Sequence, residues 1–382
     1  MCKVKVCHLT SVHPLFDIRI FQKECKALAA AGYDVTFVAP CECDEIVDGI
    51  KIRAVPKFHS RFSRFTRTVL AVYLRAVEEQ ADIYHIHDPE LIPVALLLKL
   101  QGKKIVYDVH EDVPRQNLSR EWLPVWLRVP LAYVTEFAEN IAVRAFDEVV
   151  GATPLISQRF EALGVNVINI NNYPPKQGMV IACAKSKPLK VCYAGAIAFQ
   201  RGIREMVQAI VKTDCQLALV GELGPGPMLD ELEKTAGWEN VILKGYIPHK
   251  EVPGFLADCL AGLVIFYPEP NHVNSQPTKM YEYMAAGLPV IASNFPYWRE
   301  IIEGLECGLC VDPLIPDELA AAIQWMVNHP DEAKRMGERG RLAVEKKFNW
   351  SVEEKKLLAL YGRLTEGLMP KKSKEIYKSN ME

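Results

Sequence analysis

Two hydrophobic periods alternate along the chain. Near the N-terminus VKVCHLT is a short β-rich run, IRIFQKECKALAAAG places apolar residues at helical spacing and stops at Gly32, and YDVTFVAP is strand-like again. The same alternation continues through the strand ADIYHIHD, a helix from about Pro89 to Lys99, the strand KKIVYDVHED, a long helix from about Leu123 to Ala145 and the strand DEVVGAT. It breaks in NINNYPPKQG and the polar stretch after it, which reads as a linker. It restarts with LKVCYAGAI and runs through GIREMVQAIVKT, CQLALVGE, PMLDELEKTAG, VILKGYI, VPGFLADC, AGLVIFYP, a helix from Thr278 to Ala286, PVIAS and DELAAAIQWMVN. Strands alternating with helices predict parallel sheets covered on both faces, so the fold class is α/β, with two doubly wound halves. The expected divisions are a first domain over 1–170, a linker over 171–188, a second domain over 189–348, a helix over 349–368 returning to the first domain, and a flexible tail over 369–382.

Composition narrows the function. The 382 residues are 49% hydrophobic and 24% charged, enough for two domains with real cores. A net charge of -2 argues against a protein that coats nucleic acid, which needs a strong excess of Lys and Arg. The start MCKVKVCHLTS reads as a charged strand rather than a signal peptide, and no apolar run reaches the ~18 residues of a membrane span. The eleven cysteines are mostly scattered through apolar segments, as expected of reduced thiols in a cytoplasmic protein. Cys41, Cys43, Cys307 and Cys310 make a four-thiolate zinc site a minor alternative.

Ligands of open parallel sheets bind beyond the carboxyl ends of the strands, and there the polar residues concentrate. Gly195 begins a small-residue turn that feeds a helix past Arg201 and Gly202, a pattern suited to phosphate through free N–H groups and a fixed charge. In NSQPTKMYEYMAAG, Lys279 can meet phosphate and Glu282, a turn into the helix, can accept hydrogen bonds from a ribose diol. His110, in YDVHED, and His87, in HIHDPE, are candidates for contact with sugar hydroxyls or proton transfer. A metal ion on His85, His87 and Asp88 is disfavoured on the expectation that strand alternation turns the two imidazoles apart. The dinucleotide fingerprint, the Walker loop and HExxH are all missing. Lys57 to Val77 interleaves Lys57, Arg61, Arg64, Arg67 and Arg75 with Phe58, Phe62 and Phe65, which suits contact with anionic lipid headgroups, assisted by Trp122 to Ala132.

The turn at Gly195 to Gly202, KGYIP at Lys244 to Pro248 and above all NSQPTKMYEYMAAGLPVIAS resemble the family 4 glycosyltransferases, retaining enzymes of the GT-B fold. The opening HPLFDIRIFQKECKALAAAGYDV is similar to the family's bacterial polysaccharide branch, which serves O-antigen, capsule or exopolysaccharide assembly. The resemblance implies two Rossmann-like domains facing across a cleft and transfer of a hexosyl or N-acetylhexosaminyl group from a nucleotide-diphosphate sugar, UDP ahead of GDP. The acceptor it implies is a saccharide, on a polyprenyl diphosphate at the inner membrane face, and it implies no metal or other cofactor. Glu282 falls on the second glutamate of the family's E-x7-E element, whereas Asn274 stands at the first. Ala196 and Arg201 occupy the positions of the usual arginine and lysine pair, and Lys279 is expected to supply the missing charge. Catalytic roles are expected for His110, Arg201, Lys279 and Asn274, and donor contacts for Gly195, Arg201, Tyr246, Ser275, Thr278, Lys279 and Glu282. Acceptor or sugar contacts are expected from Asp17, Arg19, His87, His110 and Glu111. A nucleotide-sugar 2-epimerase and a non-catalytic subunit are the rival readings.

Overall fold

The computed structural model describes residues 3–57, 64–120, 123–176, 189–224 and 226–366. Phe58, Arg61, Phe62, Trp122, most of the expected linker and the tail lie outside them. The chain divides into two compact units, residues 1–172 with 351–382, and Tyr173–Trp350.

The first unit is built on an eight-stranded sheet in the order β3-β4-β2-β1-β5-β6-β7-β8. Its strands are β1 (Lys5–Leu9), β2 (Asp34–Pro40), β3 (Glu45–Val47), β4 (Ile50–Val55), β5 (Ile83–Ile86), β6 (Lys104–Val109), β7 (Glu148–Gly151) and β8 (Val167–Asn169). Every pairing is parallel except the β3/β4 hairpin, which the periodicity alone does not reveal. Central strands such as β5 are buried at every position, so they read as continuous apolar runs rather than alternating ones. The first crossover is wound as a π-helical turn over Ile20–Cys25 that continues as an α-helix over Lys26–Ala30, closing at Gly32 with φ 95°. The helix Trp350–Thr365 also belongs here: its Tyr361 hydroxyl meets His85 Nδ1 at 2.9 Å, and Glu353 accepts the Asn171 N–H at 2.9 Å.

The second unit holds a six-stranded parallel sheet in the order β11-β10-β9-β12-β13-β14. These are β9 (Leu189–Ala194), β10 (Cys215–Val220), β11 (Val241–Gly245), β12 (Ala261–Val264), β13 (Val290–Ser293) and β14 (Gly308–Val311). The chain winds outward from β9 to β11, then returns to β12 on the other side. The β9/β12 boundary is therefore a switch point, where neighbouring loops part and leave room for a ligand. In the first unit the corresponding boundary lies between β1 and β5.

Candidate functional site

At the switch point of the second unit, β9 ends in a turn that only glycine fits. Gly195 has φ +139° and Gly221, after β10, has φ +144°. A Cβ on Gly221 would stand 1.8 Å from the Gly195 carbonyl oxygen, and one on Gly195 would stand 2.5 Å from Lys279 Nζ. The turn leads through Phe199–Arg201 and Gly202, at φ +64° with its Cα against Ile265, into the helix Ile203–Ile210. Arg201 is thus delivered to the carboxyl end of the sheet, its guanidinium 4.0 Å from the centre of the Phe266 ring just past β12.

Lys279 approaches the same ring from the helix Thr278–Ala285, with Nζ 5.5 Å from the Phe266 centre and 3.7 Å from that of Tyr193. Burial and the neighbouring Arg201 charge hold its pKa well below the ordinary lysine value, against an opposing pull from Glu282. Glu282 lies one turn along that helix and is partly exposed. The helix is fixed across the switch point by Tyr283, whose hydroxyl accepts the Ala194 N–H of β9 at 2.8 Å and whose ring fills the space a side chain at Gly262 of β12 would take. Two lone-pair-seeking cations and a helix N-terminus therefore converge where a glycine turn exposes backbone, an arrangement suited to a diphosphate.

The preceding loop is held by its own backbone. Ser275 donates its hydroxyl to the His272 carbonyl at 2.8 Å, and Trp298 Nε1 donates to the Ser275 carbonyl at 2.7 Å. Asn274 and Thr278 are exposed, and so is Tyr246, after β11. Sequence reasoning missed Tyr193, Phe266 and His272. Burial and Arg201 lower the pKa of His272, and its Nδ1 pairs with the Tyr267 carbonyl at 3.1 Å. The available signal was position alone for Tyr193 and Phe266, which lie at or just after a strand's carboxyl end; His272, in the helix Pro270–Val273, carried none.

In the first unit the switch point gathers histidines. The β1/β5 register sets His8 beside His85, and His87 follows two residues on. Residues two apart on a strand share a face, so the expectation that His85 and His87 point apart is corrected: their rings stack at 4.6 Å. His8 Nδ1 meets His87 Nε2 at 2.9 Å, and His87 Nδ1 lies 3.3 Å from Asp108 Oδ2. His110 Nε2 donates to that same oxygen at 2.9 Å. Burial pushes the pKa of His87 down to about 4 despite Asp108, and lowers those of His8 and His85 as well. The Cys pairs contribute nothing comparable, since neither ligand group among the described residues contains a cysteine.

Arg19 is deeply buried, with two 2.8 Å hydrogen bonds to Asp108, a third to the Ile170 carbonyl, and Glu24 at 3.1 Å. It reaches inward, away from solvent. Asp17 caps the first crossover, Oδ1 accepting the N–H groups of Arg19 and Ile20, while Oδ2 lies 3.8 Å from His13 Nδ1. His110 is half-buried, and Glu111 is exposed and bonded to Gln116. Thus the structure brings His87, His110 and Arg19 together around Asp108, whereas Asp17 and Glu111 serve local turns.

Comparison with known proteins agrees with this geometry. Residues 19–172 match the glycosyl transferase 4-like domain and residues 182–343 match glycosyl transferases group 1. An alpha-D-kanosaminyltransferase of Streptomyces kanamyceticus is 25% identical over 180 residues, 45% of this chain and 45% of that protein. The MMP alpha-(1->4)-mannosyltransferase of Mycolicibacterium hassiacum is 22% identical over 304 residues, 74% of this chain and 71% of the relative. The sucrose-phosphate synthase of Thermosynechococcus elongatus superposes with a TM-score of 0.81 at 20% identity, covering 96% of this chain and 100% of its own. The chain belongs to the GT-B glycosyltransferases of the family 4 type.

Proposed function

We propose that the protein transfers a sugar, with retention, from a nucleotide-diphosphate sugar held by the second unit to a saccharide acceptor held by the first. The observation that carries this reading is the convergence of Arg201 and Lys279 on Phe266 beside the Gly195 turn. Breaking the anomeric C–O bond leaves a nucleoside diphosphate, and fixed cations with a helix N-terminus stabilise that charge without a divalent ion. Glu282, on the same helix as Lys279, is assigned to the ribose. Asn274 stands exposed where the family pattern has a carboxylate, so only an amide is offered to the donor sugar there. His110, oriented by Asp108, is assigned to the transferred sugar.

The acceptor we propose is lipid-linked, on a polyprenyl diphosphate in surface polysaccharide assembly, with the protein resting on the membrane. No helix among the described residues is long and apolar enough to cross a bilayer. Support for surface contact comes from the helix Val125–Ala142, which exposes Trp126, Val129, Tyr133, Val134, Phe137 and Ile141. The helix Val69–Glu79 adds Leu70 and Leu74. Arg67 is exposed, but Arg75 is engaged with Asp44 and Glu78.

A thermal-shift panel of UDP, GDP and their sugars, with the UDP series first, identifies the donor. Transfer to lipid-linked saccharides follows, and the anomeric proton coupling of the product reads retention. Brief exposure to EDTA should leave transfer intact. Epimerisation of a UDP-sugar without acceptor would replace the transferase reading by the epimerase one.

A further inference from the structure

We propose that the first unit holds a zinc-class divalent metal ion on Nε2 of His8, Nε2 of His85 and the carboxylate of Glu24, closed off from solvent. A ring nitrogen from each of His8, His85 and His87 and an oxygen of Glu24 all lie within 4.8 Å of one another. His8, His85 and Glu24 are fully buried, and the Nε2 atoms of both histidines and both Glu24 oxygens make no hydrogen bond. Buried polar atoms are almost always satisfied, so unpaired atoms on residues whose ligand atoms gather within 4.8 Å mark a place built for something.

The hydrogen-bond chain says what that is. His87 Nδ1 lies 3.3 Å from Asp108 Oδ2 and 3.2 Å from His110 Nε2, whose own proton goes to Asp108, and we place a proton directed at that same oxygen on Nδ1 of His87. Its Nε2 is then an acceptor, and the 2.9 Å contact makes His8 Nδ1 the donor. His8 Nε2 is left as a bare, buried lone pair without a hydrogen-bond partner. His85 Nδ1 is occupied by the Tyr361 hydroxyl at 2.9 Å, so its Nε2 is the nitrogen left to the cluster. A carboxylate holding a histidine that holds a ligand is how metal-binding imidazoles are oriented.

Charge points the same way. Arg19 faces two carboxylates and spends its donors on Asp108 and the Ile170 carbonyl, leaving Glu24 an ion contact at 3.1 Å but no hydrogen bond. Burial and the nearby Asp108 push the Glu24 pKa well above the ordinary carboxylate value in spite of Arg19, so a metal ion binding there displaces a proton. A water molecule could donate to only two of the three facing groups, whereas a cation meets all of them at once. Two imidazoles and a carboxylate suit zinc, whose closed sites are structural, with the second Glu24 oxygen or a water completing four ligands. This ion is separate from donor binding in the second unit and does not depend on that reading.

The test is metal content and cobalt(II) titration of the full chain, before and after stripping with a strong chelator. The expected result is a single zinc ion per chain, and cobalt d–d absorption of tetrahedral intensity that saturates at the same stoichiometry. Glu24→Gln, which keeps the shape, should weaken cobalt binding by at least about tenfold. His110→Ala, outside the cluster, should leave it unchanged. A wild-type chain that neither carries zinc nor develops the cobalt bands overturns the proposal. So does a Glu24→Gln chain with native circular dichroism and wild-type cobalt affinity, or loss of the metal in His110→Ala, which would place the ion on the outer group of His87, Asp108 and His110. If Glu24→Gln fails to fold, His8→Gln takes its place, and wild-type cobalt affinity in that chain equally overturns the proposal.

Discussion

The ammonium of Lys279 lies 3.7 Å from the centre of the Tyr193 ring, and both residues face the Gly195 turn. This relation makes Lys279 a charge that is costly to hold until an anion arrives, because burial and Arg201 both favour its neutral form.

Nucleotide binding is therefore expected to take up a proton. A diphosphate beside Lys279 raises its pKa, so the complex binds more protons than the free protein between the two values. UDP affinity should fall as pH rises through that window, which begins well below the ordinary lysine pKa of about 10.4. In the free protein the sign for stability is opposite. The folded pKa lies below the unfolded one, so stability rises with pH across the interval. Calorimetry in buffers of differing ionisation enthalpy measures the uptake. Lys279→Met should abolish it and weaken UDP by about 10- to 100-fold, or about 1.4 to 2.8 kcal/mol. An uptake that survives in Lys279→Met would assign the proton to another group.

The glycine turn gives a contrast between two alanine substitutions. Gly221→Ala adds a Cβ 1.8 Å from the Gly195 carbonyl oxygen at φ +144°, so the backbone itself must shift. A loss of about 3 kcal/mol is expected. Gly102→Ala, at φ +77° with nothing within 4 Å, meets only the left-handed penalty of about 1 kcal/mol. Denaturant melts of the two variants compare them directly, and equal losses would mean that the close approach is relieved without cost.

Asp108→Asn leaves the buried Arg19 with one charged partner fewer, and removing one side of such a pair costs about 3 to 5 kcal/mol. The exposed Arg299–Glu303 pair at 3.0 Å is the comparison: Glu303→Ala should give no resolvable change in melting temperature. Thermal unfolding reads both.

How much of this the sequence discloses depends on whether the signal is local. The alternation from VKVCHLT to YDVTFVAP shows the β-α-β winding, because each element carries its own period. The Gly195 turn and Arg201 are legible because they follow a strand, and Lys279 and Glu282 because the polar run NSQPTKMYEYMAAG enters its helix through a loop. Tyr283 as an anchor and the β3/β4 hairpin are not, since each depends on a partner far away or on a strand too short to show a period. The histidine cluster fails for another reason. His8 and His85 lie 77 positions apart and meet only through the β1/β5 register. No spacing within the chain encodes that meeting.

Contact with a bilayer is the remaining prediction, and it rests on one helix face. Trp126, Val129, Tyr133, Phe137 and Ile141 follow one another at three- and four-residue steps along Val125–Ala142, so they form a single outward stripe. Each large side chain moved from water into lipid contributes about 1.5 to 3 kcal/mol. A basic side chain such as the exposed Arg67 adds about 1 kcal/mol near an anionic surface, a share that salt removes. Sedimentation with anionic vesicles should therefore weaken at high salt without vanishing. The double variant Trp126→Ser, Phe137→Asp should bind at least about 100-fold less, since it removes two apolar contributions and adds a charge that lipid repels. Wild-type sedimentation by the double variant, with salt abolishing binding of both, would leave only electrostatic attraction and remove the apolar stripe from the account.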